Sequence, residues 1–146
     1  MSVSYQTLEA KFRRLSLIDE AVAMLRWDMS VMMPDRSSAA RGEQIANLKL
    51  TVHEILSSSE VADLLTDAEN ASGELDEWQI RNLQLMKRRW LHTTAVPEDL
   101  LDAFTRSCTK TESVWRIARN ESDFMLILPE LEDLLGLVSE VAKAKS

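Results

Sequence analysis

The sequence has little of what breaks a chain into turns, with 3 glycines and 3 prolines in 146 residues. Both residues punctuate helices and build turns, so their scarcity favours long helices with few connections. There is one cysteine, Cys108, which excludes an intramolecular disulfide and a cysteine-based metal cluster. Histidine is almost as scarce, with His53 and His92 far apart in the chain. Basic charge is outweighed: 17 Lys and Arg against 24 Asp and Glu give a net charge of −7. An acidic surface repels phosphate backbones, so nucleic acid is not expected as a partner. No apolar run approaches the roughly 18 residues of a membrane span. The opening Met-Ser-Val-Ser-Tyr lacks a basic stretch followed by an apolar one, so no signal peptide is expected. Together with the lone cysteine, this sets a cytoplasmic expectation and no membrane partner.

What is present is helical periodicity. Leu8, Phe12, Leu15, Ile18, Val22, Leu25, Met29 and Met32 recur at steps of three and four, as one face of a helix does. From Ala21 a second set joins, with Met24, Trp27 and Val31, so the later half of this helix is expected to be enclosed by other elements. Pro34 stops it. Asp35 or Ser37 is placed to cap a second helix with Ile45, Leu48, Val52, Ile55 and Leu56 on its apolar side. Ser57 and Glu60 have capping-box spacing before a short third helix. Asp76 is placed to cap a fourth, carrying Ile80, Leu83, Met86 and Trp90. Pro97 opens a fifth with Leu101, Phe104, Cys108, Trp115 and Ala118 inward, interrupted at 120–123. Pro129 opens a sixth with Leu131, Leu134, Leu135, Val138 and Val141. No segment alternates with a period of two over a useful length. The expected fold is all-α, a single domain over 1–146 of about six helices, the first one long, packed mostly antiparallel.

Chemistry is sparse. His53-Glu54-Ile55-Leu56-Ser57 has the start of a zinc-protease helix, but such a helix needs a second histidine four residues on, where Ser57 stands. His53 therefore reads as an ordinary helix residue. Cys108 falls on an apolar helix face and reads as a small buried hydrophobe, with no cation on its own face to make it reactive. Glu130 and Asp133 read as a solvated face, and Lys87-Arg88-Arg89 as cations near a helix C-terminus. Glu-x-x-His motifs for a di-iron bundle and glycine-rich phosphate loops are absent. No catalytic, cofactor-binding or metal residue is assigned. Three methionines at the end of the first helix are either packing around Trp27 or an adaptable binding surface.

The stretch "LRWDMSVMMPDRSSAARGEQIANL" resembles the N-terminal signature of the carboxypeptidase Taq family of metallocarboxypeptidases: a helix ending in Trp-Asp, a Met-Pro turn, then a helix with Arg and Glu-Gln. The matching positions are Trp27, Asp28, Met33, Pro34, Arg41, Glu43 and Gln44. Further matches follow in order: His53-Glu54, the helix start at Pro97, Trp115, Arg119, Asp123, Phe124, Pro129 and Leu131. Met29 and Val31 depart from the Gln and Thr that the resemblance leads one to expect, so the corner is more apolar here. The family's His-Glu-x-x-His helix has no matching position in these residues, so no catalytic residue carries over. The resemblance implies zinc only for full-length enzymes. For these helices it implies a wall covering one side of a deep active-site groove in a dimeric enzyme.

Two functional expectations follow. One is a non-catalytic helical module acting by self-association, as a homodimer or higher homo-oligomer, or by binding another protein, with Met29, Val31 and Met32 as the candidate surface. The other is a fragment or split subunit of a metal-dependent carboxypeptidase whose zinc site lies on another segment. A generic helical adaptor is the third and weakest alternative.

Overall fold

A computed structural model describes residues 2–146, the side chain of Asp35 excepted. Six α-helices occur among them: α1 (Val3–Val31), α2 (Ser38–Ser57), α3 (Ser59–Asn70), α4 (Glu77–Thr94), α5 (Glu98–Glu121) and α6 (Leu128–Ala144). Short 3₁₀ turns at Asp35–Ser37, Ser72–Glu74 and Phe124–Leu126 connect some of them, and no strand occurs among the described residues. The all-α expectation holds, as does the long first helix of 29 residues. Pro34 ends α1 as its chemistry requires: the Met32 and Met33 amides both close onto the Asp28 carbonyl just before it.

Some ends form differently from their sequence signals. Asp76 does cap α4, accepting from the Gln79 amide while the Gln79 side chain returns to the Asp76 amide. The Ser57–Glu60 box does not form. Ser58 occupies the N-cap instead, while the Ser57 hydroxyl is engaged with the His53 ring. Ser37 sits at the N-cap of α2 without a side-chain cap bond, and the Asp35 alternative lies outside the described side chains. α5 ends at Ser122, whose φ of 55° lies in the left-handed region. That turn lets the Asp123 amide reach the Ala118 carbonyl at 2.9 Å, a C-terminal closure usually left to glycine.

The apolar core is lopsided. Its buried cluster falls entirely within 5–15 and 52–86: Tyr5, Leu8, Phe12 and Leu15 of α1 against the end of α2, with α3 and α4. The other end contains the later half of α1, the start of α2, α5 and α6, and contributes nothing to that cluster. There, α5 packs most extensively on α2 and then on α6. Its buried residues are Thr105, Thr109, Thr111 and Ala118, and α6 has no buried residue at all. Helices α2, α5 and α6 thus lie side by side. Of the expected inward set of α5, Ala118 is buried, but Trp115 is exposed, and the other buried residues of the helix are threonines that the apolar spacing does not mark. Threonine is small enough for close approach: a Cβ on Gly42 of α2 would sit 3.2 Å from the Thr109 methyl. Bonds across the seams reinforce them, between the Ser38 and Ser113 hydroxyls and from Thr111 Oγ1 to the Glu130 carbonyl at 3.4 Å.

Candidate interaction surface

The corner between α1 and α2 is built on one arginine. Arg41 Nη2 lies 2.6 Å from Asp28 Oδ2, and Nη1 donates to the Leu25 carbonyl at 3.1 Å. The planar guanidinium can serve both acceptors at once. It pins the last turns of α1 to the first turns of α2, and Asp28 and Arg41 of the sequence signature therefore act as a clamp. Met33 is buried beside it, while Pro34, Glu43 and Gln44 are exposed. Glu43 lies 3.7 Å from Arg106.

Trp27 does not pack into the corner: it is 56 % exposed, and Met32 is 68 % exposed. The expected enclosure of α1's later half is therefore corrected. Leu17, Met24, Trp27 and Val31 form a stripe on its outer side, and no helix of this chain covers them. Met29, one of the candidate surface residues, points the other way and is buried. With Arg26 and Ser30 it lines a cavity of about 300 Å³ against Ile45, Thr105, Cys108 and Glu112. The later half of α1 thus lies over the α2–α5 seam.

Beyond α1, the α5–α6 layer has two unlike faces. On one, a cavity of about 520 Å³ is lined by Ser107, Lys110, Glu130, Asp133, Gly136 and Glu140. This face is polar. Lys110 Nζ meets Glu130 Oε1 at 2.8 Å, and that bond holds the ammonium's pKa above its ordinary value. Glu130, read from sequence as solvated, is thus partnered. On the other face, Leu101, Phe104, Cys108 and Trp115 recur on α5 at steps of three, four and seven. Leu128, Leu131, Leu135, Val138 and Ala142 do the same on α6. Leu135 is 62 % exposed, and Val138 and Trp115 are exposed as well. The 3₁₀ turn adds exposed Phe124, Met125 and Leu126 at the end of the layer, and Asp123 holds that turn by accepting from the Met125 amide at 2.9 Å. Arg119 lies 5.3 Å from the Trp115 ring centre, a cation–π distance. Pro97 begins α5 and is exposed.

The remaining chemistry-bearing residues have structural partners. His53 is buried, with Nε2 2.8 Å from the Val96 carbonyl and Nδ1 3.3 Å from Ser57 Oγ. A carbonyl only accepts, so Nε2 carries the proton. Cys108 is half-buried, and burial pushes its thiol pKa up. Lys49 donates to Thr105 Oγ1 at 3.4 Å; burial, then the nearby Arg26 charge, lowers its pKa. No group of three His, Cys, Asp or Glu that could hold a metal ion occurs among the described residues, so these donors do not fit a catalytic zinc. No helix is long and apolar enough to cross a membrane among them.

The helices form an all-α layer whose α6 side and the turn before it carry exposed apolar residues, and the same arrangement of helices occurs in known proteins. Carboxypeptidase 1 of Bacillus subtilis (strain 168) is 29% identical over 84% of this chain, which matches 25% of that protein. A crystal structure of BsuCP superposes on 99% of the chain with a TM-score of 0.93 and 25% identity, and 29% of that structure is covered. Metallocarboxypeptidase 1 of Trypanosoma cruzi gives a TM-score of 0.76 at 33% identity, over 97% of this chain and 28% of that one. The pattern of the carboxypeptidase Taq (M32) metallopeptidase family matches residues 7–146. The chain belongs to that family, and it spans about a quarter of the length of the relatives it matches.

Proposed function

We propose that this chain is a non-catalytic helical module of the carboxypeptidase Taq family that works by protein binding, self-association first. Metal-dependent release of C-terminal residues then belongs to the parts of its relatives that it does not span. The observation that carries this reading is the apolar face of α5 and α6 beside the outer stripe of α1. A layer of helices with one polar and one apolar face needs a second layer. The donors described above also lack a zinc set. In this reading the chain is cytoplasmic and binds neither nucleic acid nor membrane. The test is a zinc titration by equilibrium dialysis alongside a carboxypeptidase assay. The expected result is less than one zinc per chain and no zinc-dependent release of C-terminal residues. Release by the purified chain overturns the proposal.

A second reading, a split subunit of a metallocarboxypeptidase, is supported by the TM-score of 0.93 over 99% of the chain. The helices match those of a much longer structure closely. Activity would then arise on mixing with a chain that carries His-Glu-x-x-His, and a neighbouring reading frame encoding that motif is the first thing to look for.

A further inference from the structure

We infer that the cavity beneath the later half of α1 binds a small monocarboxylate, its charged end held between Arg26 and Lys49 and its short apolar body against Met29 and Ile45. This site goes beyond the protein-binding reading above and does not depend on it.

Three observations carry it. The first is shape. The cavity is walled by three helices of this chain, with Met29 from α1, Ile45 from α2, and Thr105 and Cys108 from α5. Its volume of about 300 Å³ is at the small end of ligand sites, which run roughly 300–1,000 Å³. Met29 and Ile45 are buried, so part of its wall is apolar.

The second is charge. Arg26 lines the cavity and is exposed, which puts a cation at its open side. Lys49 is half-buried and reaches the wall at Thr105, 3.4 Å from Oγ1. Both charges act on the Cys108 thiol, against the burial that pushes its pKa up. Neither cation forms an ion pair among the described residues. The acids nearby are already engaged: Glu112, on the cavity wall, pairs with Arg116 at 2.7 Å, and Asp19 pairs with Arg89 at 2.6 Å. Burial and then the Arg26 charge lower the pKa of Lys49, as expected of an ammonium without a counter-charge. An anion between the two supplies one.

The third is a spare donor. Thr105 is 2 % exposed and lines the cavity. Its oxygen accepts from Lys49, while its own O–H finds no acceptor among the described residues. A carboxylate has lone pairs enough for the guanidinium, the ammonium and this hydroxyl together. An amino acid would bring a third positive charge beside Arg26 and Lys49. Inorganic phosphate would leave Met29 and Ile45 without an apolar partner. The fit is therefore to a carboxylate with a short hydrocarbon body and no second charge.

The test is amide NMR on the isotope-labelled full chain, titrated with sodium butyrate at constant ionic strength, with butyramide and inorganic phosphate in parallel. Butyrate is expected to shift the Met29, Ile45, Thr105 and Cys108 signals saturably, and butyramide to leave them in place. Arg26→Gln and Lys49→Met are each expected to raise the half-saturating concentration about tenfold, as losing one bond to an ion does. Lys110→Gln, outside the cavity, should leave it unchanged. Circular dichroism checks each fold, and because Arg26 is exposed its variant reads the site even if Lys49→Met disturbs the helices. Equal binding of butyramide, an absence of saturable shifts at these residues, or a half-saturation unmoved in Arg26→Gln overturns the site. Saturation by phosphate at lower concentration than butyrate overturns the carboxylate as its occupant.

Discussion

Replacing Arg41 separates the two bonds that hold the α1–α2 corner. Its side chain is 18 % exposed and that of Asp28 34 %. An exposed ion pair contributes about 0.2–1 kcal/mol. With Arg41 mostly covered and Asp28 a third open, a coupling of about 1 kcal/mol is expected after allowing for screening. The charged bond to the Leu25 carbonyl adds about 1.5 kcal/mol, the lower end for a bond to an ion. Arg41→Ala should therefore cost about 2.5 kcal/mol and Asp28→Ala about 1, since the latter leaves the Leu25 bond in place. The double variant should cost no more than Arg41→Ala alone, which makes the pairwise term about −1 kcal/mol. For a chain of this size 1 kcal/mol moves the melting temperature by about 2–4 °C, so Arg41→Ala should melt roughly 5–10 °C early. Urea unfolding followed by circular dichroism gives the four free energies. Repeating the cycle at high salt should shrink the coupling while the Leu25 term persists, because salt screens the open carboxylate. A coupling below about 0.3 kcal/mol, or equal costs for the two single variants, would refute the assignment of two separate bonds.

Other expectations concern the interior. His53→Phe leaves the buried Val96 carbonyl without its donor, so a loss of about 1–3 kcal/mol is expected in chemical unfolding. Gly42→Val places branched carbons where a single Cβ already comes within 3.2 Å of the Thr109 methyl. It should cost about 1–3 kcal/mol, and Thr109→Ala in the same chain should recover part of that in thermal melts. Lys49 is a base whose folded pKa is lowered, so the fold holds its charged form less well than the unfolded chain does. Lys49→Met should raise the melting temperature at pH 7. That gain should fade as pH climbs through the lysine's depressed folded pKa toward its unfolded value near 10.4; a gain that grows with pH would contradict the sign.

The helices were legible because their periodicity is local: the apolar steps from Leu8 to Met29 and the prolines at 34, 97 and 129 speak for themselves. The family was legible at the corner, where Trp27, Asp28, Pro34 and Arg41 keep a spacing that the Asp28–Arg41 clamp explains physically. Burial was not legible where it depends on what lies across a seam. Trp115 has the periodicity of a core residue, yet it is left nearly half exposed. Thr105 and Thr109 look like surface residues, yet they fill the α2–α5 seam because Gly42 allows the helices to close there. Periodicity reports which face of a helix is apolar, and it does not say whether the cover belongs to the same chain. Likewise, Ser57 has a capping residue's spacing, and only the fold brings the His53 ring to claim its hydroxyl.

The lopsided core also sets where the molecule gives way. Backbone amides open by local unfolding whose cost follows the apolar contacts broken. α6 buries no residue, so it can detach while the cluster around Leu8, Leu56 and Leu65 stays closed. Its amides are expected to exchange through a local opening, ahead of those of α3, which hydrogen exchange would check. A chain built this way is expected to keep its shape longest at the end where α1, α3 and α4 meet, with α6 the first helix to open.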